Sequence, residues 1–118
     1  MERQLELLVV FSKGVKMRLV YKGIKIPVTN THNDKLMRFK HQKLYYAIII
    51  KECNRYSSIG NKQRIDIAMT DDNLNILSFL YDMHENTVFE NKKATTTIII
   101  PKNTFNNLEI NTNFRTED

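Results

Sequence analysis

The sequence predicts an α+β fold, namely a small mixed, mostly antiparallel β-barrel or curled sheet with one or two helices. Seven or so short stretches are expected to be strands, some because apolar and polar residues alternate and others because they are short apolar or β-branched runs. Only one stretch clearly repeats its apolar residues three and four positions apart, as a helix does. At 118 residues, the chain is expected to form a single domain, 1–118, that buries roughly two-thirds of its unfolded surface.

The first part of the chain predicts three consecutive antiparallel strands. Residues 4–11 are rich in Leu and Val and are expected to form a strand that is buried on both faces. Residues 15–21 alternate with a period of two. Gly23 then permits a tight turn into a third strand at residues 24–28.

The middle of the chain is more ambiguous. Residues 34–43 allow two interpretations: a helix capped by Asn33 or Asp34, or a basic loop. Residues 44–50 are β-branched, aromatic or apolar without a polar interruption, which favours a central strand covered on both sides. Residues 52–62 are rich in Asn, Ser and Gly and are expected to form an exposed loop.

A strand followed by a helix is predicted next. Residues 64–69 alternate as a strand does. Thr70 is a good helix cap, and the two acidic residues after it suit the first turn of a helix. The apolar stripe then has helical spacing, which predicts an α-helix over residues 70–84. Its members are Leu74, Leu77, Leu80, Tyr81 and His84.

The last part of the chain predicts a hairpin and a loosely ordered tail. Residues 87–90 and 94–100 are expected to pair as a hairpin that Pro101 ends. Residues 103–118 are rich in Asn and Thr, with apolar residues spaced through them. The last few residues, 115–118, are expected to be frayed.

Charge is distributed very unevenly along the chain. Residues 1–62 contain thirteen Lys or Arg and four Asp or Glu, a net charge of +9. Residues 63–118 contain five and nine, a net charge of −4. Because repulsion within a basic region costs stability, the asymmetry indicates a polyanionic partner, of which nucleic acid is the commonest.

The candidate binding residues come from this basic half. Alternation in the predicted strands places Lys16, Arg18 and Lys25 on one solvent face. Single-stranded nucleic acid also needs exposed aromatic rings beside cations, and either Tyr46 or Tyr56 is expected to supply one. The predicted nucleic-acid-binding residues are therefore Lys16, Arg18, Lys25, Arg38, Lys40, Lys43, Tyr46 and Arg55.

No catalytic, metal-binding or cofactor-binding residue is predicted. Cys53 is expected to be a packed side chain, and His84 is explained by the dipole at the end of the predicted helix. No phosphate-binding, dinucleotide-binding or hydrolase motif occurs. The chain also has no apolar run long enough to span a bilayer and no signal-peptide pattern, so a cytoplasmic protein is expected.

Over its full length the chain resembles the PrgU-type proteins of enterococcal pheromone-inducible conjugative plasmids. The resemblance lies in strand-rich residues 5–28, the core strand at 44–50 and the predicted helix at 70–84. It implies a PUA-like fold, a small mixed β-barrel often used to bind RNA. It also implies a negative regulator that limits overproduction of plasmid-encoded surface adhesins. A second class stays open: a small interaction module of a mobile element that binds a host or plasmid protein.

Overall fold

Nine β-strands form two sheets in the computed structural model, which describes residues 17–31 and 43–118. The described residues contain no α-helix, and so none that could cross a membrane. The strands are β1 Arg18–Tyr21, β2 Ile24–Thr31, β3 Ala47–Lys51, β4 Arg55–Ser57, β5 Ile65–Thr70, β6 Ile76–Met83, β7 Val88–Glu90, β8 Thr96–Pro101 and β9 Arg115–Glu117.

The larger sheet has seven strands in the order β6-β5-β8-β3-β2-β1-β9, and β4 pairs with β7 in a small second sheet. Within the described strands only β2 and β3 are parallel, so the predicted mixed, mostly antiparallel β architecture is confirmed. The predicted α+β class is wrong for the described residues, whose regular elements are all strands. The sheet ends at β6 on one side and β9 on the other. In the described part of the chain it is therefore an open sheet and not a closed barrel.

The helix predicted over residues 70–84 is wrong, because most of this stretch is β6, an edge strand paired antiparallel with β5. Two register shifts interrupt that pairing. Each shift adds a residue to β6 and turns the following side chains to the other face. As a result Leu77, Leu80 and Met83 pack on one core, whereas Ile76 and Phe79 pack on the other. A bulged strand thus gives the three-residue spacing that predicted a helix.

The expected helix start is a tight turn. The Asp71 carboxylate accepts hydrogen bonds from the backbone N–H groups of Asn73 at 2.9 Å and Asn75 at 3.0 Å. Leu74 between them has a φ of 64°, which lies in the left-handed region and is incompatible with an α-helix. The same side-chain chemistry caps helices and closes turns, and here it closes the turn into β6.

Strand β3 lies in the middle of the large sheet and is covered on both faces, as the apolar run at residues 44–50 predicts. Ala47 and Ile49 belong to a first hydrophobic core, and Ile48 and Ile50 belong to a second core on the opposite face. Because successive side chains of a strand point to opposite faces, an uninterrupted apolar run fits a strand between two cores.

Different parts of the chain cover the two cores. The segment 102–114 lies against the first core and contributes Phe105, Leu108 and Phe114, all fully buried or nearly so. The small β4–β7 sheet lies against the second core, into which Tyr56 packs. The Asn- and Thr-rich segment after β8 is therefore part of the hydrophobic core.

Three further predictions need correction. Residues 52–62 are not simply an exposed loop, because they contain β4 and bury Cys53, Ser58 and Asn61. Strands β7 and β8 do not form a hairpin with each other, since β7 pairs with β4 and β8 pairs with β3 and β5. The tail is not frayed at residues 115–117, which form β9 against β1. In all three cases the observed structure depends on pairing with strands that are distant in sequence, which local sequence does not show.

Two predicted elements lie in residues 1–16 and 32–42, outside the described part of the chain. The strand predicted at 4–11 falls in the first of these ranges. The segment 34–43, predicted as either a helix or a basic loop, falls in the second except for Lys43.

The Tyr21 hydroxyl connects β1 to the segment 102–114 over the first core, which we call the covering segment. It lies 3.0 Å from the carbonyl oxygen of Asn107 and 2.8 Å from the Thr112 hydroxyl, and it accepts the Glu109 N–H at 3.0 Å. We expect Tyr21→Phe to lower the free energy of unfolding by about 1–2 kcal/mol, because the Glu109 N–H loses its acceptor. Urea unfolding measures the change, and an unchanged midpoint would contradict it.

Candidate nucleic-acid interface

Three cations converge on one face of the β2–β1–β9 end of the large sheet. Arg18 in β1 lies directly opposite Glu117 in β9. Val20, two residues further along β1, lies between Lys25 of β2 and Arg115 of β9. Cross-strand partners and alternate residues share a face of a sheet. We call Arg18, Lys25 and Arg115, together with Glu117, the cationic face.

The β1–β2 turn fixes this arrangement locally. Only Lys22 and Gly23 separate the two strands, with φ values of 49° and 84°. Positive φ at both positions of a two-residue turn suits the twist of a hairpin, and glycine adopts it without a steric penalty. The resulting register puts Arg18 and Lys25 on the same face. A shift of one residue would have placed them on opposite faces.

Glu117 lies among the three cations. Its Oε1 is 2.6 Å from Lys25 Nζ, and its Oε2 is 3.2 Å from Arg115 Nη2. The hydrogen bond from Lys25 holds the pKa of Glu117 below its usual value, and the charges of Lys25, Arg115 and Arg18 add to this effect. The four side chains carry a net charge of +2, and the three cations are exposed. This arrangement suits the binding of oxyanions.

The structure joins only part of the predicted binding set. Arg18 and Lys25 lie together in the cationic face. Arg55 lies on β4 in the small second sheet, directly opposite Glu90, and so belongs to a different surface element. The predicted residues outside the described part of the chain are Lys16, Arg38 and Lys40.

The aromatic residues are arranged differently from the prediction. Tyr56 is 3% exposed and packs in the second core, so the proposal that it stacks on a base is wrong. Tyr46 is half-buried against the same core. Its neighbour Tyr45 is 44% exposed, and Lys43 Nζ lies 5.6 Å from the centroid of its ring. Both tyrosines precede β3, which begins at Ala47, so strand alternation does not decide which of the two rings is exposed.

Folding neutralises part of the charge asymmetry along the sequence. Lys22 lies 3.1 Å from Glu109, and Lys25 lies 2.6 Å from Glu117, so acidic residues of the second half pair with basic residues of the first. The net charges of the two halves therefore overstate the electric field of the folded protein. The cationic face keeps a net positive charge after this pairing, because three cations surround the single carboxylate of Glu117.

Sequence reasoning missed Arg115 and Glu117, because the tail was expected to be frayed. The available signal was the alternation of these two charged residues around Thr116, a β-branched residue favoured in strands. Three residues are too few for that pattern to predict a strand. Their pairing with β1, at the other end of the chain, cannot be read from local sequence.

Cys53 and His84 carry the thiol and imidazole groups that the sequence analysis considered for catalysis. Cys53 is 3% exposed, and its Sγ lies 3.4 Å from the carbonyl oxygen of Arg55, consistent with a packed side chain. Without a helix, the dipole interpretation of His84 is wrong, and its Nε2 instead lies 4.0 Å from Asp82 Oδ2. No three His, Cys, Asp or Glu side chains in residues 17–31 and 43–118 group as metal ligands would.

Comparison with known proteins identifies a fold neighbour. No family model matches the chain, and no curated protein matches it. A similar structure is the crystal structure of a protein of unknown function from Novosphingobium aromaticivorans DSM 12444, with a TM-score of 0.58 and 8% sequence identity. The match covers 74% of this chain and 72% of that chain. The likeness is one of fold alone.

Proposed function

We propose that this protein is a non-enzymatic, cytoplasmic RNA-binding regulator that contacts the phosphates of single-stranded RNA through the cationic face. The observation that carries the proposal is the convergence of Arg18, Lys25 and Arg115 from three neighbouring strands. Cations that neutralise phosphates release counterions, and this release supplies affinity that does not depend on sequence. Arginine guanidinium groups also match phosphate oxygens in a two-bond geometry.

The proposal includes the biological role implied by the resemblance to PrgU-type proteins. By occupying a leader or intergenic segment of a transcript, the protein would limit expression of plasmid conjugation and surface-adhesin genes. A kinship with PUA-like domains belongs to the same proposal. Contacts to phosphate fix the position of an RNA but do not read its bases. Target choice therefore needs further contacts, for which the exposed ring of Tyr45 is a candidate.

Salt titration of RNA binding is the direct test. For three phosphate contacts on a single strand, raising salt from about 50 to about 200 mM should weaken binding by roughly tenfold or more. Neutralising two of the cations with Arg18→Gln/Lys25→Gln should weaken binding at the lower salt and make the salt dependence shallower. Fluorescence anisotropy with a labelled single-stranded RNA measures both effects.

A matched control removes two cations elsewhere. Lys92 and Lys93 are exposed in the turn between β7 and β8, so Lys92→Gln/Lys93→Gln changes net charge equally. We expect this control to bind RNA as the unchanged protein does. Salt-independent binding, or equal losses in both variants, would overturn the proposal. A partner that survives nuclease treatment and is lost only with Arg18→Gln/Lys25→Gln would instead assign the cationic face to a protein.

A further inference from the structure

Glu117 holds an unusual position for a residue on a surface proposed to bind phosphates. It lies on β9, directly opposite Arg18 of the neighbouring strand β1. Lys25 belongs to β2, on the far side of β1, yet its ammonium group reaches the Glu117 carboxylate at 2.6 Å. Two strand spacings amount to about 9–10 Å, so both side chains must extend towards each other across β1.

The Glu117 carboxylate thus uses donors that a bound phosphate would need. One oxygen faces Lys25, and the other faces Arg115 at 3.2 Å. Carboxylates and phosphates accept the same charge-assisted hydrogen bonds from ammonium and guanidinium groups. A phosphate at these donors would also meet the negative charge of Glu117, and like charges in contact are unfavourable.

We propose that Glu117 is an internal competitor for the phosphate subsite formed by Lys25 and Arg115, and that it selects polyanionic strands over single phosphates. This inference rests on the proposed RNA-binding function. When a single phosphate displaces the Glu117 carboxylate, Lys25 and Arg115 exchange one oxyanion for another, so little binding free energy is gained. A strand gains contacts with Arg18 and with any neighbouring cation at the same time, so several phosphates together displace the carboxylate.

The accessibility of the pair allows such an exchange. The side chains of Lys25 and Glu117 are 47% and 30% exposed, so water screens their attraction. Ion pairs at this degree of exposure contribute little to stability. Strand β9 pairs with β1 through only three residues. The carboxylate can therefore turn aside without disrupting either core.

Removing the competing charge is the test. We expect Glu117→Gln to bind single-stranded RNA about 5–10-fold more tightly than the unchanged protein, with a steeper salt dependence, because one more phosphate reaches the cations. We also expect inorganic phosphate to shift the NMR signals of Lys25 and Arg115 in the variant at concentrations that leave the unchanged protein unaffected.

Glu109→Gln is the matched control. Glu109 also pairs with a lysine, Lys22 at 3.1 Å, and its loss changes the net charge equally. We expect its RNA affinity to change less than about twofold, because Lys22 is outside the cationic face. Thermal unfolding followed by circular dichroism checks that both variants fold. Glu117→Ala repeats the test without an amide that can bind Lys25.

The outcomes separate this inference from the proposed function. If the unchanged protein binds RNA and Arg18→Gln/Lys25→Gln weakens it, but Glu117→Gln is no tighter than Glu109→Gln, the function stands and the inference fails. Equal tightening in a triple variant that also lacks Arg18 and Lys25 would likewise overturn the inference. If no variant binds RNA, the proposed function fails and the inference fails with it.

Discussion

Replacing Phe114 by alanine is expected to lower the free energy of unfolding by about 3–5 kcal/mol. The ring is 1% exposed, and its centroid lies 5.1 Å from that of Tyr21 and 5.7 Å from that of Phe105. These three rings fill the first core where the covering segment meets β1. Their loss leaves a cavity that the rigid sheet below cannot close, and the aromatic contacts disappear as well.

Urea unfolding of Phe114→Ala and Ile110→Ala tests this expectation. Ile110 belongs to the same segment but is 48% exposed, so its truncation should cost less than about 0.5 kcal/mol. Equal effects of the two substitutions would show that the segment does not pack as described. Phe114 also directly precedes β9, so its loss should loosen the strand that carries Arg115 and weaken RNA binding in parallel.

The strands that sequence predicts well are those with simple patterns. The apolar run at residues 44–50 and the alternating residues 64–69 both predict strands, and they correspond to β3 and β5. The prediction for β6 was wrong because two bulges replace the strand period of two with a spacing of three. Local sequence cannot distinguish that pattern from a helix, since pairing with β5 decides it.

The candidate site shows the same division between local and distant information. Arg18 and Lys25 face the same way because a two-residue turn sets their register, and that turn is visible in the sequence. Arg115 and Glu117 join them only because β9 pairs with β1. Contacts between the two ends of a chain leave no local signal. The sequence therefore predicted a cationic surface that lacked Glu117.

The second large effect is expected at Asp66, a buried carboxylate in β5 that is 2% exposed. Its Oδ1 accepts the N–H of Asp82 at 2.8 Å, and its Oδ2 accepts the N–H of Asn103 at 3.1 Å. Both donors sit in left-handed backbone, with φ values of 57° and 69°. Asp66 thus stabilises a bulge in β6 and the turn that leads from β8 into the covering segment.

Asp66→Ala should therefore lower the free energy of unfolding by about 2–4 kcal/mol, because two N–H groups lose their acceptors in a buried place. Urea unfolding measures the loss. Asp72→Ala is a suitable comparison, since Asp72 is exposed and its carboxylate accepts a hydrogen bond from the Thr95 hydroxyl. A loss at Asp66 no larger than at Asp72 would contradict the role assigned to the buried carboxylate.

The pH dependence of Asp66→Asn separates the carboxylate's charge from its shape. Burial raises the pKa of Asp66, and the two N–H donors oppose this only in part. The folded state therefore binds the proton more tightly than the unfolded state, in which the pKa is about 3.9. The contribution of Asp66 to stability is fullest below that pH and falls as the pH rises through the raised value.

The amide does not titrate, so the gap in unfolding free energy between the unchanged protein and Asp66→Asn should narrow from about pH 4 to about pH 7. A gap that widens over this range would mean that the fold favours the ionised carboxylate, and that its two hydrogen bonds outweigh the cost of burying its charge.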